Sequence, residues 1–147
     1  MTEKDLARKA KVYLSQVLTA EREIRSINAR IRHYREMGIG SPGNMTNTPV
    51  THSKGSSAVE MAAVGIVDAL SALNANLGAY EAIVRDAENR IKKIPQENFR
   101  RILTMRYLAD MSFRSVSDEM RYEDRNSIYR AHGYALIEMG RVLVSME

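Results

Sequence analysis

Two long stretches of the sequence repeat apolar residues at alternating spacings of four and three, and this rhythm constrains the fold more than any other feature. In the first stretch the repeat comprises Leu6, Ala10, Tyr13, Val17, Ala20, Ile24, Ile27, Ile31 and Tyr34. In the second it comprises Val59, Ala63, Ile66, Leu70, Leu73, Leu77, Tyr80, Val84, Ala87, Ile91 and Ile94. This spacing keeps the apolar side chains on one narrow side of a helix, as in a coiled coil. The sequence therefore predicts two long helices, over residues 2–37 and 57–94.

The segment between the two helices, residues 38–56, is rich in Gly, Ser, Thr, Asn and Pro and predicts a flexible loop. Ser57 and Glu60 match a capping box that restarts the helix. Two helices of similar length with a flexible connection fold back most simply as an antiparallel hairpin over residues 1–94. The spacing leaves open whether the apolar seam closes within one chain or between the chains of a homodimer.

After Pro95 the pattern changes to short amphipathic segments. Residues 96–109 predict one helix, Ser112 begins a short second helix, and a polar turn over 121–123 follows. Asp124 is placed to cap a last helix. A short helix, a tight turn and a longer helix form a helix-turn-helix. The predicted fold is therefore all-α, with a coiled-coil hairpin followed by a three-helix DNA-binding domain over residues 95–147.

Composition narrows the function. The chain has no Cys, which excludes disulfides, thiolate metal sites and Cys nucleophiles, and its three histidines are scattered. We find no catalytic constellation and expect neither an enzyme nor a cofactor or metal site. The most apolar stretch, Met61 to Leu73, is interrupted by Asp68 and is short for a bilayer. We therefore expect a cytoplasmic protein that does not contact a membrane.

The charge distribution permits nucleic-acid binding. The net charge is +4, and the span from Arg8 to Arg35 holds eight cations against two acids. Residues 96–147 hold eight cations against eight acids, but all eight cations are arginines. Arginine binds phosphates and base edges alike.

The last predicted helix carries the candidate site. If Ile128 and Ala135 face inward, the polar residues of its first two turns point outward. Arginine pairs with guanine and asparagine with adenine through two hydrogen bonds, so these side chains are suited to read bases in a major groove. We expect Arg125, Asn126 and Arg130 to read bases, Tyr129 to contact the DNA backbone or stack, and Arg114 and Arg121 to contact phosphates.

The run NFRRILTMRYLADMSFRSVSDEM, followed by Ile128 and the pair Ala135-Leu136, resembles region four of bacterial sigma factors. The chain as a whole is similar to phage-encoded late-gene regulators of the RinA/ArpU type. The coiled-coil front and the Gly/Ser/Thr loop carry that resemblance, together with a signature that reads Arg106, Tyr107, Ile128, Tyr129, Arg130, His132, Gly133, Ala135 and Leu136.

This resemblance implies a regulator that binds promoter DNA and activates transcription by the host RNA polymerase. Two alternatives stay open. A phage DNA-packaging oligomer similar to a small terminase subunit also joins a helix-turn-helix to an oligomerising coiled coil, although it usually places the DNA-binding part first. A coiled-coil adaptor without a DNA role is the other, and the oligomeric state separates packaging from regulation.

Overall fold

The protein is all-α in the residues that its computed structural model describes, which are 1–39 and 53–147, with side chains described over 1–37 and 59–147. Helix α1 spans Glu3–Ile39 and helix α2 spans Ser53–Ile91. Helix α3 (Glu97–Leu103) continues into a π-helical turn (Thr104–Leu108), and helices α4 (Phe113–Met120) and α5 (Arg125–Ser145) follow.

Several element boundaries differ from the sequence prediction. Helix α2 begins at Ser53, so Ser57 lies inside the helix and the predicted capping box there is wrong. Most of the predicted loop 38–56 lies outside the described residues. The helix predicted over 96–109 begins at Glu97, with Gln96 as its N-cap residue. Helix α2 ends at Ile91 because its last turn tightens, with the amides of Lys93 and Ile94 donating to carbonyls three residues back.

The predicted helix over 96–109 is a composite. Its second half is a π-helical turn in which the amide of Ala109 donates to the carbonyl of Thr104. Ile102, Leu103 and Tyr107 are buried as the periodicity predicts, and Arg106 is half-buried. A π turn adds one residue to each hydrogen-bonded ring. It therefore changes which side chains face the core, although the number of apolar residues in the segment is the same.

The chain divides into two compact units, Met1–Arg22 with Tyr80–Glu147, and Glu23–Ala79. The core of the first unit combines α1, α2, α3 and α5 residues: Ala10, Leu14, Ile91, Ile94, Leu103, Tyr107, Ala135, Leu136, Met139, Val142 and Leu143. A second cluster joins α3, α4 and α5 through Ile102, Val116 and Ile128. The division at residue 94 that the sequence predicts remains a prediction.

Within the first unit, the start of α1 lies beside the end of α2. The hydroxyl of Tyr13 donates to the carboxylate of Asp86, and the Arg90 guanidinium lies 5.4 Å from the centre of the Tyr13 ring. Burial raises the pKa of Tyr13, and the hydrogen bond to Asp86 adds to that effect. Further along α1, Arg22 forms two hydrogen bonds of 3.0 Å with Asp110, a residue whose φ of 54° is left-handed.

In the part of the second unit whose side chains the structure describes, the buried apolar residues are Ile27, Ile31 and Leu73. Val59 and Ala63, the first two positions of the predicted α2 seam, are exposed. Among the described residues, the side chains of the seam are partly or fully buried from Ile66 onward. The segment Val59–Ile91 is long and apolar enough to cross a membrane, with a mean hydropathy of 1.3 in an 18-residue window. The core helices of soluble proteins that meet the same criterion are mostly buried, whereas 6% of this window is buried.

Candidate nucleic-acid interface

Helix α4 is short because both of its ends are defined by local hydrogen bonds. The hydroxyl of Ser112 accepts a hydrogen bond of 3.1 Å from the amide of Ser115, which caps the N-terminus as the sequence predicts. Val116 and Ser117 face the interior, and Ser117 is only 6% exposed. The small Ser117 side chain lies in the buried face of α4, which packs against α5.

The turn after α4 reverses the chain without a glycine. Arg121 adopts the left-handed conformation with φ of 60°, and its amide donates to the carbonyls of Ser117 and Asp118. The amide of Tyr122 also donates to the carbonyl of Ser117. These bonds satisfy the carbonyls of Ser117 and Asp118 in the last turn of α4. The side chain of Asp124 then accepts a hydrogen bond of 3.0 Å from the amide of Asn126 and caps α5, as predicted.

The faces of α5 separate as the sequence predicts. Ile128, His132 and Ala135 are buried. The polar residues of the first two turns, Arg125, Asn126, Tyr129 and Arg130, are exposed. The first two turns of α5 therefore present two guanidinium groups, an amide and a phenol to solvent. The reading roles of these side chains stay a prediction.

Tyr129 is the most constrained of the four. Its ring centre lies 5.2 Å from that of Phe113 on α4, and the side chain keeps 56% of its surface exposed. Aromatic pairs at this separation attract each other, so Phe113 limits the rotamers of Tyr129. The contact holds the phenol beside the exposed face of α5.

Arg114 and Arg121, the two predicted phosphate contacts, are exposed on α4 and on the turn after it. A cavity of about 310 Å³ brings Arg114 and Arg125 together with the acidic side chains Asp118 and Glu123. Among the described residues, none of the four arginines at positions 114, 121, 125 and 130 forms an ion pair within 4.0 Å. Their charges are therefore available to an external anion.

Tyr107 and His132 form a buried polar pair on the buried side of α5. The hydroxyl of Tyr107 lies 2.8 Å from Nε2 of His132, and the two rings stack. Phe113 meets the His132 ring edge-on at 4.8 Å. His132 is 9% exposed and packs against Tyr107 and Phe113, so it is a packing residue. Burial lowers the pKa of His132 to about 4, with smaller contributions from the charges of Arg106 and Lys11.

Arg106 is the unusual cation of this region. Its guanidinium carbon lies 4.4 Å from the centre of the Phe113 ring, and one terminal nitrogen donates to the carbonyl of Met111 at 2.9 Å. Its buried Nε has no hydrogen-bond partner within the described part of the chain. The ring of Phe113 thus carries three contacts, with Arg106, Tyr129 and His132, and connects the π-helical turn to α5.

The His132 environment predicts a pH-dependent stability. The pKa of histidine is about 6.5 in an unfolded chain and about 4 here, so the unfolded chain binds the extra proton first. The free energy of unfolding should therefore be nearly constant above about pH 7.5 and should be lower by about 2 to 3 kcal/mol at about pH 4.5. Urea unfolding across this range measures it. His132→Gln should remove most of the slope, and an unchanged slope in that variant would contradict the assignment.

Sequence reasoning did not identify two neighbours of this surface. Tyr134, on α5, is 59% exposed, and Lys4, at the start of α1, lines the same groove as Arg130. The helical periodicity places Tyr134 on the outer face of α5, and that signal was available. Nothing in the local sequence places Lys4 there.

No protein-family model, curated protein or solved structure matches the chain.

Proposed function

We propose that the protein is a transcriptional regulator that binds promoter DNA through a helix-turn-helix formed by α3, α4 and α5, and that acts with the RNA polymerase of a bacterial host. One observation carries the proposal. The capped first turns of α5 expose Arg125, Asn126, Tyr129 and Arg130, while Ile128 behind them packs against Val116 of α4. This is the arrangement in which a recognition helix presents its N-terminal residues to a major groove.

In this proposal, two arginines and one asparagine of α5 contact the bases. A major groove is about 12 Å wide and admits a helix, and its guanine and adenine edges match Arg and Asn side chains. Arg125, Asn126 and Arg130 read base edges in this proposal. Tyr129, which Phe113 restrains, contacts the DNA backbone or stacks on it.

Phosphate contacts belong to Arg114 and Arg121, whose guanidinium groups are exposed and have no carboxylate partner among the described residues. The same surface carries the carboxylates of Asp118 and Glu123, which repel phosphates. The equal numbers of cations and acids in residues 96–147 act in the same direction. Affinity for DNA of arbitrary sequence should therefore be modest, and base contacts should contribute much of the specific affinity.

The long helices complete the proposed architecture as an antiparallel hairpin over residues 1–94. The contact of Tyr13 with Asp86 supports this pairing, because it joins the start of α1 to the end of α2. In this proposal the hairpin contacts the polymerase or a second copy of the chain, and the protein acts in the cytoplasm as a homodimer on repeated half-sites.

Salt-dependent DNA binding tests the proposal. The affinity of the full-length protein for a promoter duplex should fall linearly with salt on a log–log plot, because phosphate contacts release counterions. Arg114→Ala with Arg121→Ala should reduce the slope by about 1.8 and leave sequence preference unchanged. The control pair Arg85→Ala with Arg101→Ala removes two other exposed arginines and should leave the slope as it is. A protein that binds no duplex would refute the regulator.

One observation favours the packaging alternative. The start of α2 exposes Val59, Met61, Val64 and Val67, each at least 59% accessible. An apolar helix surface of this kind is typical of an oligomer interface. Sedimentation of the full chain separates the two functions, because a closed ring of many subunits indicates packaging and a dimer indicates regulation. The adaptor alternative corresponds to a protein that binds no DNA at all.

A further inference from the structure

The first turns of α1 pack across α5 behind the exposed face of that helix. Gly140 of α5 lies so close to Leu6 that a Cβ atom at position 140 would meet the Leu6 carbonyl oxygen at 2.3 Å. Beside this crossing, Arg141 lies 3.6 Å from the carboxylate of Glu3. The N-terminus of α1 is itself fixed by the reciprocal capping bonds between Thr2 and Asp5. This part of α1 therefore has a defined position relative to α5.

A groove runs between the two helices and opens onto the exposed face of α5. Glu3, Lys4 and Ala7 line it from α1, and Tyr129, Arg130 and Tyr134 line it from α5. The Glu3 carboxylate also lies 3.6 Å from Arg141. The same groove thus joins a cation of α1 to two of the side chains assigned to DNA. A duplex held against the start of α5 would bring its backbone past this edge, since the phosphates border the major groove on both sides.

Lys4, which lines this groove, and Lys11 lie on the same side of α1. Lys4 and Lys11 are seven residues apart, which is two helical turns, and Ala7 lies between them on the same side. Lys11 lies close enough to His132 for its charge to act on that imidazole. Both lysine side chains are exposed.

The cations at the start of α1 differ in whether they form ion pairs. Arg8 pairs with Asp5, and Lys9 pairs with the carboxylate of Glu147. Lys4 and Lys11 form no ion pair with any described residue. Among the α1 cations that belong to the first compact unit, Lys4 and Lys11 are thus the two that form no ion pair within the described part of the chain.

We propose that Lys4 and Lys11 are phosphate contacts, so that α1 is a DNA-binding element together with α4 and α5. This inference rests on the proposed function and extends the interface beyond the helix-turn-helix. A lysine ammonium acts on phosphate as a point charge without base preference. Its loss should weaken binding to every sequence by the same factor.

The experiment uses a full-length double variant that carries both Lys4→Ala and Lys11→Ala. Its affinity for a duplex of random sequence is compared with that of the wild type over a series of salt concentrations. Each phosphate contact contributes about 0.9 to the log–log slope, so the double variant should lose about 1.8. The preference for the promoter duplex over the random duplex should stay within a factor of about two, since no base contact is removed. A matched control, Lys92→Ala with Lys93→Ala, removes two exposed cations of the same unit and should leave the slope unchanged.

The outcomes separate the two levels of the proposal. Wild-type protein that binds no duplex overturns the proposed function and this inference together. Wild-type binding with an unchanged slope in the α1 variant overturns the inference alone, as does an equal loss in the control pair. The conservative variant Lys4→Arg with Lys11→Arg should retain the wild-type slope, and its failure to do so would indicate a role other than charge. Circular dichroism of each variant verifies that the helices are intact.

Discussion

Gly140→Ala should lower the free energy of unfolding by about 3 kcal/mol, at the upper end of the usual cost of overpacking a core. The new Cβ would lie 2.3 Å from the carbonyl oxygen of Leu6, 2.6 Å from its carbonyl carbon and 2.8 Å from its Cα. These are backbone atoms of a helix, so no side-chain rotation relieves the contact. Helix α1 would have to move away from α5 and lose part of the shared core of Ala10, Met139 and Leu143.

Gly133→Ala is the matched control, because Gly133 lies in the same helix and a Cβ there has no neighbour within 4 Å. Alanine is a better helix former than glycine, so this variant should gain up to about 1 kcal/mol. Urea unfolding followed by circular dichroism measures both variants. Equal changes at the two glycines would contradict the packing of α1 on α5.

The largest functional effect is expected from the combined variant Arg125→Ala, Asn126→Ala and Arg130→Ala. Each two-bond contact with a base discriminates by about 1–3 kcal/mol, so three of them at about 1.4 kcal/mol each correspond to a thousandfold preference. That preference should disappear, while weak binding through phosphates remains. All three side chains are exposed, so the helical fold should be retained.

A matched triple variant controls for the removal of surface charge. Lys93→Ala, Asn98→Ala and Arg101→Ala delete two cations and one amide from exposed positions outside α4 and α5. Sequence preference should stay at the wild-type level in this control. A comparable loss there would show that net charge, and not the face of α5, determines selectivity.

Local signals in the sequence were enough for the all-α character and for most helix starts. The caps at Thr2, Ser112 and Asp124 each depend on residues two or three positions apart, so they form wherever the helix forms. The buried and exposed sides of α5 follow in the same way from the spacing of Ile128 and Ala135.

The features that escaped prediction are of two kinds: local turns without a distinctive residue pattern, and contacts between distant parts of the chain. The π-helical turn, the left-handed conformation of Arg121 and the crossing at Gly140 have no local signature that distinguishes them from ordinary helix and turn. The groove that joins Lys4 to Arg130 spans more than a hundred residues of sequence, so only the packed structure brings those cations together. At Val59 and Ala63 the local pattern is misleading. Their spacing matches the predicted apolar seam, but both side chains are exposed.

Selection of bound sequences from a pool of randomised DNA duplexes tests the reading role of α5 most directly. Full-length wild-type protein should enrich a defined motif, and the protein with Arg125, Asn126 and Arg130 replaced by alanine should retain salt-sensitive binding but enrich none. Enrichment of the same motif by that variant, at the same strength, would contradict the assignment of α5 as the helix that reads DNA.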